Sequence, residues 1–336
     1  MISLLVISSE KGSGKTAVSA GLGKYLISSR RKVGFLKPAI VDSQNRPEPG
    51  ADRDAEFMKQ LFHLKEAAGT INPVLGDQSQ LQSNLKEALA KVSGGKDVVI
   101  IESPTTQNQV AFRMAEVLNA RVVAIESYAP GLARVASRYR NFGDKLLGMV
   151  INKVPRNRLE SVRNEVSSQL SKAQISLLGV LPEDRTLTAL TIGELATHLQ
   201  GEIISGAEKS AGLIENVMLG AMCVDPGPEY FGRKANKAVV IKSERPDMQM
   251  AALETSTRCL ILTGGEEARP VVRQQAADKG IPIILVRDNT TSVATSIEDA
   301  LSSARFNQED KLPVITRLME SYFDFQALDR GLGPLG

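Results

Sequence analysis

Eight residues, Ser9-Glu10-Lys11-Gly12-Ser13-Gly14-Lys15-Thr16, stand between the apolar run Ile2 to Ile7 and an Ala/Gly-rich segment of helical character. A strand that turns through glycines into a helix opening on Lys-Thr is a phosphate-loop pattern, and it implies an α/β domain with this as its first strand. Gly12 and Gly14 let backbone N–H groups close around phosphate oxygens, and the following helix points the positive end of its dipole at the same anion. Lys15 adds a cation, and the Thr16 hydroxyl is a ligand for Mg²⁺. The usual motif has a glycine five residues before the second one, where this chain has Ser9. A turn that only joined strand to helix would account for the glycines but not for Lys15-Thr16 at the required place. The loop therefore predicts a nucleoside triphosphate bound with Mg²⁺.

A hard cation held by one hydroxyl needs acidic help, and carboxylates at the ends of neighbouring strands supply it. Glu102 closes the buried-strand run Asp97-Val98-Val99-Ile100-Ile101 and is followed by Ser103-Pro104, so it is expected at the carboxyl edge beside the loop. The alternative is an acid solvated at a strand end. Asp52 and Asp54 follow a Pro/Gly-rich loop, Asp42 to Gly50, and reach the same metal or, for Asp52, cap the next helix.

A chain of 336 residues is longer than one core usually grows. Strand-length apolar runs at 2–7, 33–37, 97–102, 121–126, 146–152 and 176–181 alternate with helical patterns at 15–29, 53–62, 80–93, 108–118, 130–141 and 157–172. That alternation predicts a mainly parallel sheet with helices on both faces. A second alternation follows, with strands at 238–242, 259–263 and 281–286 and helices at 247–255, 269–279 and 290–304. The expected division is 1–205, 206–310 and a C-terminal helical tail, 311–336, with one helix over 314–328.

Composition removes several classes of function. With 41 basic and 38 acidic residues the chain is too balanced to imply nucleic acid or an anionic membrane as a partner. The absence of Trp and an aromatic content of 4% disfavour a base-stacking platform. No apolar stretch reaches the roughly 20 residues of a membrane-spanning helix, and the first strand has no basic flank of a signal peptide. Two cysteines, Cys223 and Cys259, without metal-ligand spacing fit a reducing cytoplasm. His63 and His198 are isolated, so no nucleophile triad or metal cluster is expected. Arg30-Arg31-Lys32 is read as a helix terminus whose cations complement the dipole.

Further pieces accompany the loop in a fixed order: Val33-Gly34-Phe35-Leu36-Lys37-Pro38, Asp54-Ala55, Asn72-Pro73, Ile101-Glu102, Gly148-Met149-Val150-Ile151-Asn152-Lys153 and Gly179-Val180-Leu181-Pro182. Together they resemble the dethiobiotin synthetase-like P-loop domain, in the form found at the N-terminus of long bacterial phosphotransacetylases. The likeness covers about residues 1–200. Beyond it, Ser243-Glu244-Arg245-Pro246-Asp247 and Leu262-Thr263-Gly264-Gly265 are similar to the DRTGG domain of the same proteins, with Glu244 in place of that motif's aspartate. By this resemblance the fold is P-loop NTPase-like, followed by a smaller α/β DRTGG-like domain.

The resemblance implies ATP as the nucleotide, with Thr16, Asp54 and Glu102 on Mg²⁺, Lys15 and Lys37 facing phosphates as the catalytic pair, and Asn152 with Pro182 against adenine. Lys11, Gly12, Ser13, Gly14, Lys15 and Thr16 complete the nucleotide-binding set. Read by themselves, Lys37 is equally a solvated strand-end lysine and Asn152 equally a turn residue. Lys11 is one place nearer Lys15 than the dimer-bridging lysine of related ATPases and is read as a solvated loop residue. Glu102-Ser103-Pro104-Thr105-Thr106 replaces the glycine-rich segment of true dethiobiotin synthetases, so their diamine surface is not expected. The phosphotransacetylase catalytic domain has no room in this chain, and acetyl transfer is not expected. A homodimer is expected from the resemblance alone.

Two readings follow. One is an ATP/Mg²⁺-dependent regulator whose second domain takes a small effector or partner, with Gly264-Gly265 as either an anion cradle or a tight strand-to-helix turn. The other is an ATP-dependent enzyme that activates a carboxylate or carbamate by phosphoryl transfer, or a slow ATPase.

Overall fold

The computed structural model describes residues 1–40, 48–76, 81–104, 107–129, 137–220 and 227–333. It divides into two compact units: Met1–Asp184 together with Phe306–Gly336, and Arg185–Arg305. The second unit is thus inserted in the first. The boundary falls at Asp184/Arg185 rather than at 205/206, because β9 (Leu190–Thr191) pairs with β11 (Leu213–Ile214) and ties the intervening segment to the second unit.

The first unit is built on a six-stranded, all-parallel sheet with strand order β2-β5-β1-β6-β7-β8. Its strands are β1 (Ile2–Ile7), β2 (Val33–Leu36), β5 (Val98–Glu102), β6 (Arg121–Ser127), β7 (Leu146–Val154) and β8 (Leu177–Pro182). A two-stranded ribbon, β3 (Ala39–Ile40) with β4 (Val74–Leu75), stands apart. The helices are α1 (Lys15–Ser28), α2 (Arg53–Leu61), α3 (Ala68–Ile71), α4 (Leu81–Ser93), α5 (Asn108–Val117) and α6 (Leu159–Lys172). The expected helix 130–141 is replaced, within the described residues, by 3₁₀ turns over Ser137–Lys145 with Gly143 at φ 51°; residues 130–136 lie outside them.

Alternation along each strand supplies two cores. Leu5, Ile7, Val99, Ile101, Val122, Ala124, Met149 and Ile151 pack with Leu85, Met114 and Val166 of α4, α5 and α6. The opposite face is covered by α1 and by the C-terminal segment, which forms two helices, α12 (Leu312–Tyr322) and α13 (Phe325–Leu332), where one was expected. The break at Phe323-Asp324 has a cause: Phe323 is extended and bridges to Gly179, and the Asp324 N–H donates to Leu178 O at 2.7 Å. Close contact with α1 requires its glycine, since a Cβ on Gly21 would lie 2.2 Å from Met319 Sδ. Arg31 is buried, 3.7 Å from Asp329, and Arg30 has φ 62°; the cations expected as helix-terminal charges are a tail anchor and a turn residue.

The second unit holds a five-stranded sheet ordered β10-β15-β14-β13-β12, in which only β10 (Glu202–Ser205) is antiparallel. The others are β12 (Asn216–Leu219), β13 (Lys237–Lys242), β14 (Thr257–Thr263) and β15 (Ile283–Val286). One face packs on α8 (Gly227–Gly232), α9 (Pro246–Leu253) and α10 (Pro270–Asp278), the other on α7 (Ile192–His198) and α11 (Thr290–Ser302). No helix among the described residues is long and apolar enough to cross a membrane.

Candidate functional site

The strand order itself locates a crevice. Chain connections from β1 run to β2 on one side, and β5 then crosses β1 to reach β6 on the other, so the sheet's order reverses beside β1. Ligands of open parallel sheets bind outside the carboxyl ends of strands at such a reversal. The Ser9–Thr16 loop leaves β1 there, and the register Val6↔Glu102 sets the end of β5 alongside it.

The loop is built as its glycines require. Gly12 and Gly14 have φ 75° and 95°, the left-handed region that side chains resist. A Cβ on Gly14 would also lie 2.2 Å from Asn152 Nδ2. Asn152 donates from Nδ2 to Ser13 O at 2.8 Å and accepts from the Lys153 N–H at 2.9 Å, so it supports the loop from β7. One amide N–H and one carbonyl lone pair of Asn152 remain for a further partner. Lys15 donates to Ser8 Oγ at 2.8 Å; burial lowers its pKa, while the Glu102 carboxylate works against that shift. Lys11 is exposed at the loop's tip, and Pro182 closes β8 opposite Val154.

Beside Lys15 the expected metal ligands converge. Thr16 Oγ1 donates to Glu102 Oε2 at 3.0 Å. Lys37 Nζ lies 2.8 Å from Asp54 Oδ2, 3.0 Å from Asp52 Oδ1 and 3.8 Å from Glu102 Oε2. Lys37 is therefore an ion-paired lysine and not a solvated one. Of the two roles foreseen for Asp52, the helix cap is seen: its Oδ1 accepts from the Asp54 and Ala55 N–H groups as an N-cap, and it also accepts from Lys37. Asn72 completes the frame by donating to Lys37 O at 2.6 Å and accepting from the Gly50 N–H at 3.2 Å.

The cluster sets one ammonium, that of Lys37, among the carboxylates of Asp52, Asp54 and Glu102. Burial pushes the Glu102 carboxyl above the usual range, with Lys37 opposing. For Lys37, burial pulls the pKa down, but the carboxylates of Glu102, Asp54 and Asp52 outweigh it and hold the ammonium well above the ordinary lysine range. Three buried polar atoms, Ser13 Oγ, Asp54 Oδ1 and Glu102 Oε1, have no hydrogen-bond partner. Orphaned oxygens are costly and need a ligand, water or ion. Two carboxylates and a hydroxyl are a hard donor set that suits Mg²⁺ when phosphate oxygens and waters fill the remaining positions. No group of three or more His, Cys, Asp or Glu able to hold a metal by itself occurs among the described residues.

Glu126 was not singled out by the sequence. It is the penultimate residue of β6, at the same sheet edge, is 3% exposed, and accepts from Ser9 N and Ser9 Oγ, each at 2.8 Å, and from the Tyr139 hydroxyl. The signal was present: an acid closing an apolar strand run, the argument that found Glu102. A groove of about 540 Å³ between α4 and α5 is lined by Leu85, Lys86, Arg113 and Met114 and includes none of these residues.

Residues 3–191 match the family model described as AAA domain, which is more than half of the chain. The chain belongs to this AAA-domain family. Residues 194–300 of the AAA-domain chain match a second model, the DRTGG domain. Curated relatives of this AAA-domain protein include a phosphate acetyltransferase of Pseudomonas aeruginosa, 24% identical over 96% of this chain and 51% of the relative. Another, from Nitrosomonas europaea, is 22% identical over 99% of this chain and 52% of the relative. The chain thus spans about half the length of the curated relatives it matches. Among solved structures it is similar to the septum site-determining protein MinD of Pyrococcus horikoshii, complexed with Mg-ADP. That match is 19% identical and covers 55% of this chain and 83% of the other, with a TM-score of 0.35. The fold assignment rests on the sheet order and register above.

In the DRTGG unit of the AAA-domain chain, the Gly264 and Gly265 N–H groups donate to Asp288 O and Val286 O, each at 3.1 Å. Both are spent on the end of β15 and the segment after it, so they do not form an anion cradle, and the chain runs through residues 264–269 before α10 begins at Pro270 rather than turning tightly into it. Arg245 pairs with Asp247 at 2.8 Å and leaves Glu244 exposed.

Proposed function

We propose that the chain is an ATP- and Mg²⁺-binding regulatory protein in which the nucleotide state of the Ser9–Thr16 loop is coupled to the DRTGG unit. The observation that carries the nucleotide part is the meeting of the loop with the unpartnered oxygens of Glu102, Asp54 and Ser13 at one sheet edge. In this reading Thr16, Asp54 and Glu102 hold Mg²⁺, Lys15 and Lys37 face the phosphates, and Asn152 and Pro182 lie toward adenine. Mg²⁺ supplies charge neutralisation on the polyphosphate. The protein's own groups orient it: the positive-φ glycines expose N–H groups, and α1 directs its dipole at the anion.

The coupling is supported by connectivity, since the second unit is joined to the first at both its ends, after Asp184 and before Phe306. The match to phosphate acetyltransferases over half their length supports a module shared with them. A small effector or partner at the DRTGG unit, a homodimer and a reducing cytoplasmic setting belong to the same reading. Light scattering at micromolar concentration tests the dimer, and a monomeric mass counts against it.

One observation favours a second reading. Lys37, held charged among three carboxylates, would serve as the cation of a phosphoryl-transfer enzyme acting on a carboxylate or carbamate. Phosphate release under saturating Mg²⁺-ATP, with amide exchange across 185–305, separates the two. Negligible release with altered exchange in the second unit is expected of the regulator. Steady release with the second unit unchanged overturns it in favour of the enzyme.

A further inference from the structure

The loop entering the phosphate site is clasped to the end of β6 from both directions. Ser9 N–H donates to Glu126 Oε1 at 2.8 Å and Ser9 Oγ to Glu126 Oε2 at 2.8 Å. In return, the Ser127 N–H donates to Glu10 Oε1 at 3.2 Å. The Tyr139 hydroxyl, fully buried, adds a third donor to Glu126. Next to this, Ser8 Oγ donates to Glu10 O at 2.7 Å and accepts from Lys15 Nζ.

This arrangement explains the departure at position 9. Ser9 is not among the residues at positive φ, so a glycine's freedom is not needed there. What the position gains from a hydroxyl is a second bond to the same carboxylate, and charge-assisted bonds of this kind are the strong ones. Electrostatics alone argue against an acid behind a loop meant for polyphosphate, because a buried negative charge repels the ligand. What the geometry uses is a planar group with two hydrogen-bonding atoms in a fixed fork, one accepting from Ser9 N–H and Tyr139 and the other bonded to Ser9 Oγ.

We infer that Glu126 is a positioning residue of the phosphate loop, clasping Ser9 and tying the segment that carries Tyr139 to the nucleotide site. The inference rests on the nucleotide reading above. It distinguishes position from charge: a glutamine reproduces the clasp, with its carbonyl accepting from Ser9 N–H and Tyr139 and its amide donating to Ser9 Oγ, and it removes the charge that opposes phosphate.

The test uses the full chain and Mg²⁺-ATP, with affinity measured by calorimetry and amide exchange of residues 9–14 measured without ligand. Glu126→Ala is expected to weaken binding about ten-fold or more and to speed exchange in the loop. Glu126→Gln is expected to bind within about three-fold of the unsubstituted protein or more tightly. Tyr139→Phe, which leaves the Ser9 bonds in place, serves where Glu126→Ala does not fold, with faster loop exchange expected. Unchanged affinity and loop exchange in Glu126→Ala, or unchanged loop exchange in Tyr139→Phe where that variant stands in, overturns the inference. So does a Glu126→Gln variant as weak as Glu126→Ala. If the unsubstituted protein binds no nucleotide, the phosphate-site reading fails, and the exchange comparison alone still decides the clasp.

Discussion

The Lys37 ammonium lies 2.8 Å from the Asp54 carboxylate, so the cation assigned to a phosphate is bound to an acid assigned to the metal. Lys37 is the shared counter-ion of Asp52, Asp54 and Glu102. Its charge persists through neutral pH because Glu102, Asp54 and Asp52 together outweigh burial. On the proposed reading, a metal ion entering among these oxygens would compete with Lys37 and free it for phosphate.

Lys37→Met therefore leaves three neighbouring carboxylates unbalanced. Removing one partner of a buried ionic cluster costs about 3 kcal/mol, reduced here by the partial exposure of Lys37 and Asp52. The ligand-free variant is expected to unfold at lower urea, and Mg²⁺ alone is expected to restore its midpoint more than it shifts that of the unsubstituted protein. Equal Mg²⁺ shifts in both proteins would show that the acids do not form a cation site.

Gly14 faces two constraints at once, φ 95° and a Cβ position 2.2 Å from Asn152 Nδ2. Gly14→Ala is expected to lose about 1–3 kcal/mol of stability from strain and to lose nucleotide binding. Adding Asn152→Ala removes the collision but not the backbone strain, so a partial recovery of stability is expected by urea denaturation.

The C-terminal segment is part of the nucleotide unit. Met319, fully buried, packs against Gly21 of α1, and Tyr25 donates to Asp329 at 2.5 Å. Met319→Ala is expected to cost about 2–5 kcal/mol, and deletion of Phe306–Gly336 to abolish cooperative unfolding of the first unit. A deletion protein with an unaltered transition would refute the docking.

Cys259 is fully buried in β14, and burial raises its thiol to about 12 from 9.0. A raised folded pKa leaves stability intact below the unfolded value and erodes it as pH climbs from about 9 toward about 12. In a Cys223→Ser background, alkylation at pH near 8 is expected only when the chain unfolds. Fast labelling of the native protein would contradict the burial.

Much of the fold was readable from residue pattern, because fully buried parallel strands are continuous apolar runs and Val98–Glu102 or Leu177–Pro182 resemble little else. The loop was readable because its chemistry is local. What escaped depends on pairing across sequence distance. The early start of the second unit follows from β9 meeting β11, two residues each, too short to show a period. The tail's break at Phe323 follows from contact with β8. Glu126 was hidden for the same reason: only the neighbouring of β1 and β6 brings it to Ser9 across 117 positions.

The most direct test is calorimetric titration of ATP into the full chain and its Lys15→Ala variant, each with and without Mg²⁺. The account predicts Mg²⁺-dependent binding by the unsubstituted chain and none by a variant that still folds, because Lys15 serves the ligand and only one side-chain bond, to Ser8, is lost. Equal ATP affinity in the two proteins would contradict the assignment of the Ser9–Thr16 loop as the phosphate site.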